Sequence, residues 1–126
     1  MRLLLDSHVG LWWLDDHPNI GPRCRDHLVA AEEVFFSAVT PWELGIKRSL
    51  GKILIPDGLA DALTAAGFIP LGITVAHAER APALPAHHRD PFDRMLVAQA
   101  QLEALTLVTA DDALGPYDIE LLDARR

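Results

Sequence analysis

The sequence predicts an α/β fold built on a short, mainly parallel central sheet flanked by helices. Three observations predict it. Short apolar runs of strand length alternate with longer segments whose apolar residues recur at helical spacing. Proline, glycine and capping residues punctuate the boundaries between them. No internal repeat or low-complexity tract interrupts the alternation, so the 126 residues read as a single domain over 1–126, long enough to bury a core without staples.

The elements follow in order. Residues 2–6 (RLLLD) are a short buried strand ending on Asp6. Residues 7–16 place Val9, Trp12 and Trp13 at helical spacing, with Leu11 and Leu14 filling in. Pro18, Gly21 and Pro22 break the chain, and Pro22 opens a helix through Ala31. Residues 33–39 (EVFFSAV) are a second strand. The helix at 40–52 starts with Thr40 as N-cap, Pro41 at the first position and Glu43 closing a capping box, and it stops at Gly51. A loop and helix fill 55–68, an extended piece follows at 68–73, and 74–84 is helical up to Pro82 and Pro85. In HHRDPFDRMLVAQA (87–100), Asp90 is the N-cap and Pro91 the first residue of a helix reaching about Ala104. Residues 105–109 (LTLVT) are a strand, 110–117 a turn and 118–124 a last short strand.

Half the residues are apolar and 23% are charged, the composition of a soluble globular protein. A formal net charge of −7 argues against holding nucleic acid by general phosphate attraction. It leaves open a site that meets nucleic acid through bound cations, and it suits a basic partner. Cys24 is alone, which removes a disulfide framework or a thiolate metal cluster. The leading leucines are too few for a secretory signal, and no apolar run approaches the ~18 residues of a membrane span. A cytoplasmic, reduced setting is expected.

Four acids fall at one edge of such a sheet. Asp6 ends the first strand, Glu43 lies in the first turn after the second, Asp93 opens the long helix, and Asp111 follows the strand at 105–109. Ligands of open α/β sheets bind outside the carboxyl ends of the strands. Singly, each acid but Asp6 has a plain structural explanation. Asp93 offsets a helix dipole, Glu43 closes a cap and faces Lys47, and Asp111 with Asp112 makes a turn. Asp6, directly after three leucines, is costly without a partner. If the four lie ~5 Å apart, each pair repels by roughly 3 kcal/mol, so the site binds cations or gives up charge. All-oxygen ligation selects Mg²⁺ or Mn²⁺ over zinc and points to phosphate chemistry.

Four blocks, LLLDSHVGLWWL, VTPWELGIKRSLGKI, LPAHHRDPFDRMLVAQA and LVTADDALGPY, run in this order over nearly the whole chain. Through them the sequence resembles the PIN-domain nucleases and, within these, the VapC-type toxins of bacterial toxin–antitoxin pairs. The resemblance implies a PIN-like fold and a metal-dependent endoribonuclease acting on RNA. Its acidic quartet would be Asp6, Glu43, Asp93 and Asp111, catalytic and Mg²⁺-holding, with the hydroxyls of Ser7 and Thr109 orienting a ligand or a water. It further implies a cognate antitoxin blocking the site, and a homodimer. Asp90 keeps a structural role as N-cap.

Hydrolysis by water predicts 5′-phosphate and 3′-hydroxyl ends, with the proton acceptor open between Asp111 and Asp6. His8, His87 and His88 keep a second route open, attack by the 2′-hydroxyl leaving a cyclic phosphate. The expectation is instead a solvated pair at 87–88 and a helix-surface His8. Trp12 and Trp13 are expected in core or interface, Lys47, Arg48 and Lys52 on a solvated basic face, and Arg94 in an ion pair with an acid. The alternative to an enzyme is a PIN-like module without turnover that binds RNA or a partner protein.

Overall fold

Alternation along the strands sorts the core onto the two faces of one sheet. The computed structural model describes all of residues 1–126. Its strands are β1 (Arg2–Leu5), β2 (Glu33–Ser37), β3 (Ile69–Leu71), β4 (Thr106–Thr109) and β5 (Leu121–Asp123). All pair in parallel, in the order β3-β2-β1-β4-β5. Leu3, Leu5, Val34, Phe36 and Val108 face one layer of the core, while Leu4, Phe35 and Leu107 face the other. A parallel sheet covered on both sides needs this continuous apolar run in its central strands.

The helices are α1 (Ser7–Leu14), α2 (Pro22–Ala30), α3 (Val39–Ser49), α4 (Leu59–Ala65), α5 (Val75–Ala83) and α6 (Pro91–Glu103). Residues of α1, α2 and α4 pack on the first face, and residues of α5 and α6 on the second. The sides follow from topology. Winding runs outward from β1 to β3, then returns across the sheet to β4, and right-handed crossovers in opposite directions put their helices on opposite faces. The reversal leaves a crevice beside the carboxyl end of β1, where β2 and β4 flank it.

Most element positions agree with the sequence reading; the start of α3 does not. Its N-cap is Ala38, not Thr40, and no side chain caps it. The Ser37 hydroxyl accepts the Val39 N–H at 3.0 Å, so the chain turns into the helix one residue after β2. Pro41 is tolerated in the first turn because its missing N–H is one of the four a helix leaves unpaired. A capping box does occur at α5, where the Thr74 hydroxyl accepts the His77 N–H and His77 Nδ1 accepts the Thr74 N–H. Histidine in place of the usual Glu or Gln hid it from a pattern search. No helix is long and apolar enough to cross a membrane.

Candidate metal centre at the carboxyl edge of the sheet

Asp6 continues β1 by one ladder bond, its N–H donating to the Val108 carbonyl at 2.9 Å, and then serves as the N-cap position of α1. Its side chain therefore stands at the crevice and is almost wholly buried. The Thr109 hydroxyl donates to Asp6 Oδ2 at 2.7 Å. Burial pushes this carboxyl above the usual carboxylate range, and the Thr109 hydrogen bond pulls part of that back.

Glu43 reaches the same crevice from the second turn of α3, with only 4% of its side chain exposed. Ser7 donates to its Oε1 at 2.9 Å and Lys47 to its Oε2 at 2.9 Å. Ser7 also lies 3.1 Å from the Thr40 hydroxyl, so the residue expected to cap α3 instead joins a buried hydroxyl pair beside Glu43. Ser7 and Thr109 thus spend their hydrogen bonds on the acids themselves. The Glu43 hydrogen bond raises the Lys47 ammonium above its ordinary value. Lys47 also faces His8 Nε2 at 3.4 Å, so it belongs to the crevice and not to a solvated basic face. Arg48 does face solvent, paired with Asp57.

Asp93 enters from the first turn of α6. Asp90 is the N-cap expected of it, its Oδ1 accepting the N–H groups of Phe92 and Asp93. Burial, and then the negative charges of Asp6, Asp90 and Glu43, drive the Asp93 carboxyl up to about 7. Asp111 sits at the rim. Its N–H donates to the Thr109 hydroxyl and its Oδ1 accepts the Ala113 N–H at 2.9 Å, starting the 3₁₀ turn Asp112–Leu114. Asp112 points away, to Arg125.

The structure brings all four predicted acids to one cleft of about 420 Å³, with Asp90 beside them and Lys47 as the only lysine or arginine in its lining. It also brings in a residue the sequence reading dismissed. His88 is not a solvated neighbour of His87. Its Nε2 lies 3.0 Å from Asp93 Oδ2 and 3.2 Å from Asp111 Oδ2, and only His87 is turned outward, edge-on to Tyr117. His8 likewise lines the cleft. No spacing rule links His88 to Asp111, 23 residues on, because the contact is made by the fold alone.

Arg94 corrects another expectation. It pairs with no acid. Its guanidinium donates to the carbonyls of Ala81, Leu84, Pro85 and His88 at 2.8–3.1 Å, tying the end of α5 and the 85–88 loop to α6. Carbonyls at a helix C-terminus need donors, and an arginine fork can serve several at once. Trp13 packs in the core region against Phe68, as expected, while Trp12 stacks on His17 at the cleft wall.

A parallel sheet in this order, with acids gathered where its winding reverses, is consistent with a PIN domain, and the chain belongs to that family: the PIN domain matches residues 3–119. Within that family the chain is a homologue of the VapC ribonuclease toxins. It is 30% identical over 118 residues to Ribonuclease VapC22 of Mycobacterium tuberculosis, covering 91% of each chain. The fold is shared with VapBC2 of Rickettsia felis bound to a promoter DNA fragment, at a TM-score of 0.71, 14% identity, and coverage of 97% of this chain and 98% of that one. It is also shared with a toxin–antitoxin complex of Klebsiella pneumoniae, at a TM-score of 0.68, 19% identity and 97% coverage of both chains. FitAcB of Neisseria gonorrhoeae matches with a TM-score of 0.65, 21% identity and 97% coverage of both.

Proposed function

We propose that this protein is a metal-dependent endoribonuclease and the toxin of a toxin–antitoxin pair, with Asp6, Glu43, Asp93 and Asp111 as its catalytic and metal-holding residues. One observation carries the reading: five carboxyl groups, these four and Asp90, line a single cleft against one lysine. Crowding that drives Asp93 to about 7 is relieved either by a proton or by a cation, and above that pH the cation takes over. The donor set fits a hard divalent ion. The four acids offer carboxylate oxygen and the lining holds no thiolate, which suits Mg²⁺ or Mn²⁺.

Bound there, such a cation supplies Lewis acidity at the scissile phosphate and at the water that attacks it. The chain's own residues do the remaining work. Thr109 holds Asp6, and Ser7 with Lys47 holds Glu43, so two acids are oriented before any substrate arrives. Asp111 is the more accessible of the two candidate proton acceptors, because it stands at the open rim whereas Asp6 is buried. Lys47 balances Glu43 and leaves a positive group facing the phosphate path.

The exposed apolar row Trp42, Ile46 and Leu50, at four-residue intervals along one side of α3, supports a protein partner. We assign that face to protein contacts, with a cognate antitoxin as the regulatory partner and a second copy of the chain in a homodimer. The setting proposed is cytoplasmic.

The test is cleavage of RNA by the purified chain with Mg²⁺, beside an EDTA control and Asp93→Asn, with the product ends mapped. Cuts leaving 5′-phosphates that vanish in EDTA and in the variant are expected. Cleavage surviving both, or ends carrying a cyclic phosphate, would move the chemistry to the histidines and refute the assignment.

A further inference from the structure

We propose that His88 is a positioning residue of the acidic site, holding Asp93 and Asp111 together through its Nε2–H, and that it is not a metal ligand. The inference rests on the metal-site reading above and deepens it. His88, Asp93 and Asp111 place ligand-type atoms within 4.8 Å of one another, which on distance alone makes the histidine a third ligand. Its other ring nitrogen decides against that. His88 Nδ1 accepts the Asp90 backbone N–H at 3.2 Å, so Nδ1 carries a lone pair and no proton. A neutral imidazole holds one proton, which must then be on Nε2. The imidazolium also has a proton on Nε2. In neither form does Nε2 keep a lone pair for a cation; ligation through Nε2 requires the Nδ1–H tautomer, which sets that proton against the Asp90 N–H and forfeits its hydrogen bond.

That Nε2–H meets Asp111 Oδ2 at 3.2 Å and stands 3.0 Å from Asp93 Oδ2. The two acids come from α6 and from the end of β4, elements with no local reason to keep their carboxyls adjacent. The donor between them is itself anchored through both backbone polar groups of His88. The His88 N–H donates to the Tyr117 hydroxyl at 2.9 Å, and the His88 carbonyl accepts from Arg94 at 3.1 Å. Tyr117 in turn donates to the Pro85 carbonyl at 3.0 Å. A loop held this firmly fixes where one ring N–H points. Partners of ligating side chains set the geometry a metal meets, and removing one typically weakens binding by 10–100-fold.

The experiment has two parts. Mn²⁺ binding is measured by calorimetry for the parent chain, His88→Ala and His88→Gln, the last placing an amide N–H near the Nε2 position. The expected result is binding weakened by about 10–100-fold in His88→Ala, with most of the loss recovered in His88→Gln. Equal binding in His88→Ala, or no recovery in His88→Gln, overturns the proposal. A parent chain that binds no Mn²⁺ overturns the metal-site reading as well, which separates the two failures. In parallel, the ¹⁵N spectrum of the parent imidazoles reads the His88 tautomer directly. It should show Nε2 protonated before and after Mg²⁺ is added; loss of that proton on addition identifies a ligand and refutes the assignment.

Discussion

Asp93→Asn should make the metal-free protein more stable at pH 8, and by only about a third as much at pH 5. The Asp93 carboxyl is raised from 3.8 to about 7 by burial and by its acidic neighbours. Between those values the native state keeps a proton that the unfolded chain has released, so stability falls as pH rises through this window and levels off above about 7. At 1.36 kcal/mol per pH unit, the full displacement is worth on the order of 4 kcal/mol against the ionised form. Water at the cleft mouth reaches the 15% of the side chain that is exposed, and the neighbouring acids relax when one charge leaves, so about 2 kcal/mol is the recoverable part. For a chain of 126 residues that corresponds to a melting temperature higher by roughly 8 °C. Thermal denaturation in EDTA at pH 5 and pH 8 reads it. Saturating Mg²⁺ at pH 8 should close the gap from the other side, stabilising the parent by about 2.7 kcal/mol at a hundredfold excess over its dissociation constant. A variant equally stable or less stable than the parent at pH 8, or a difference that does not depend on pH, would refute the reasoning.

Arg94→Met should cost about 3 kcal/mol in urea unfolding, since it strips the donor from several carbonyls at the end of α5 and in the following loop at once. Ser7→Ala leaves Glu43 Oε1 without its buried donor. It should keep the fold and lower RNA cleavage about tenfold, the rate equivalent of ~1.4 kcal/mol of lost orientation, measured as kcat at saturating substrate. Ala104 ends α6 in the left-handed region at φ 55, exposed and without strain relief from packing. Ala104→Gly should therefore gain about 1 kcal/mol in the same urea assay.

The strands and most helices were legible because their signals are local. Short apolar runs in β1 and β2, Pro22 and Pro91 at helix starts, and Asp90 as a cap each act within a few residues. The start of α3 was misread for a related reason: Thr40-Pro41 makes a convincing cap pattern, but the Ser37 hydroxyl turned the chain earlier and Thr40 was drawn to Ser7. Histidine in the α5 capping box escaped because the pattern is written for carboxylates and amides.

The site divides along the same line. Sequence by itself determined that four acids would stand at the ends of strands and the starts of helices, because a parallel sheet sends every such junction to one edge. Only the tertiary structure decided what surrounds them. That Thr109 holds Asp6, that Ser7 holds Glu43, that His88 joins Asp93 to Asp111, and that Arg94 answers carbonyls instead of an acid are contacts between residues 5 to 103 positions apart. Spacing rules have a reach of about one helical turn or one hairpin. Beyond it, a side chain's partner is set by which loops the sheet brings face to face, and that is a property of the packed chain alone.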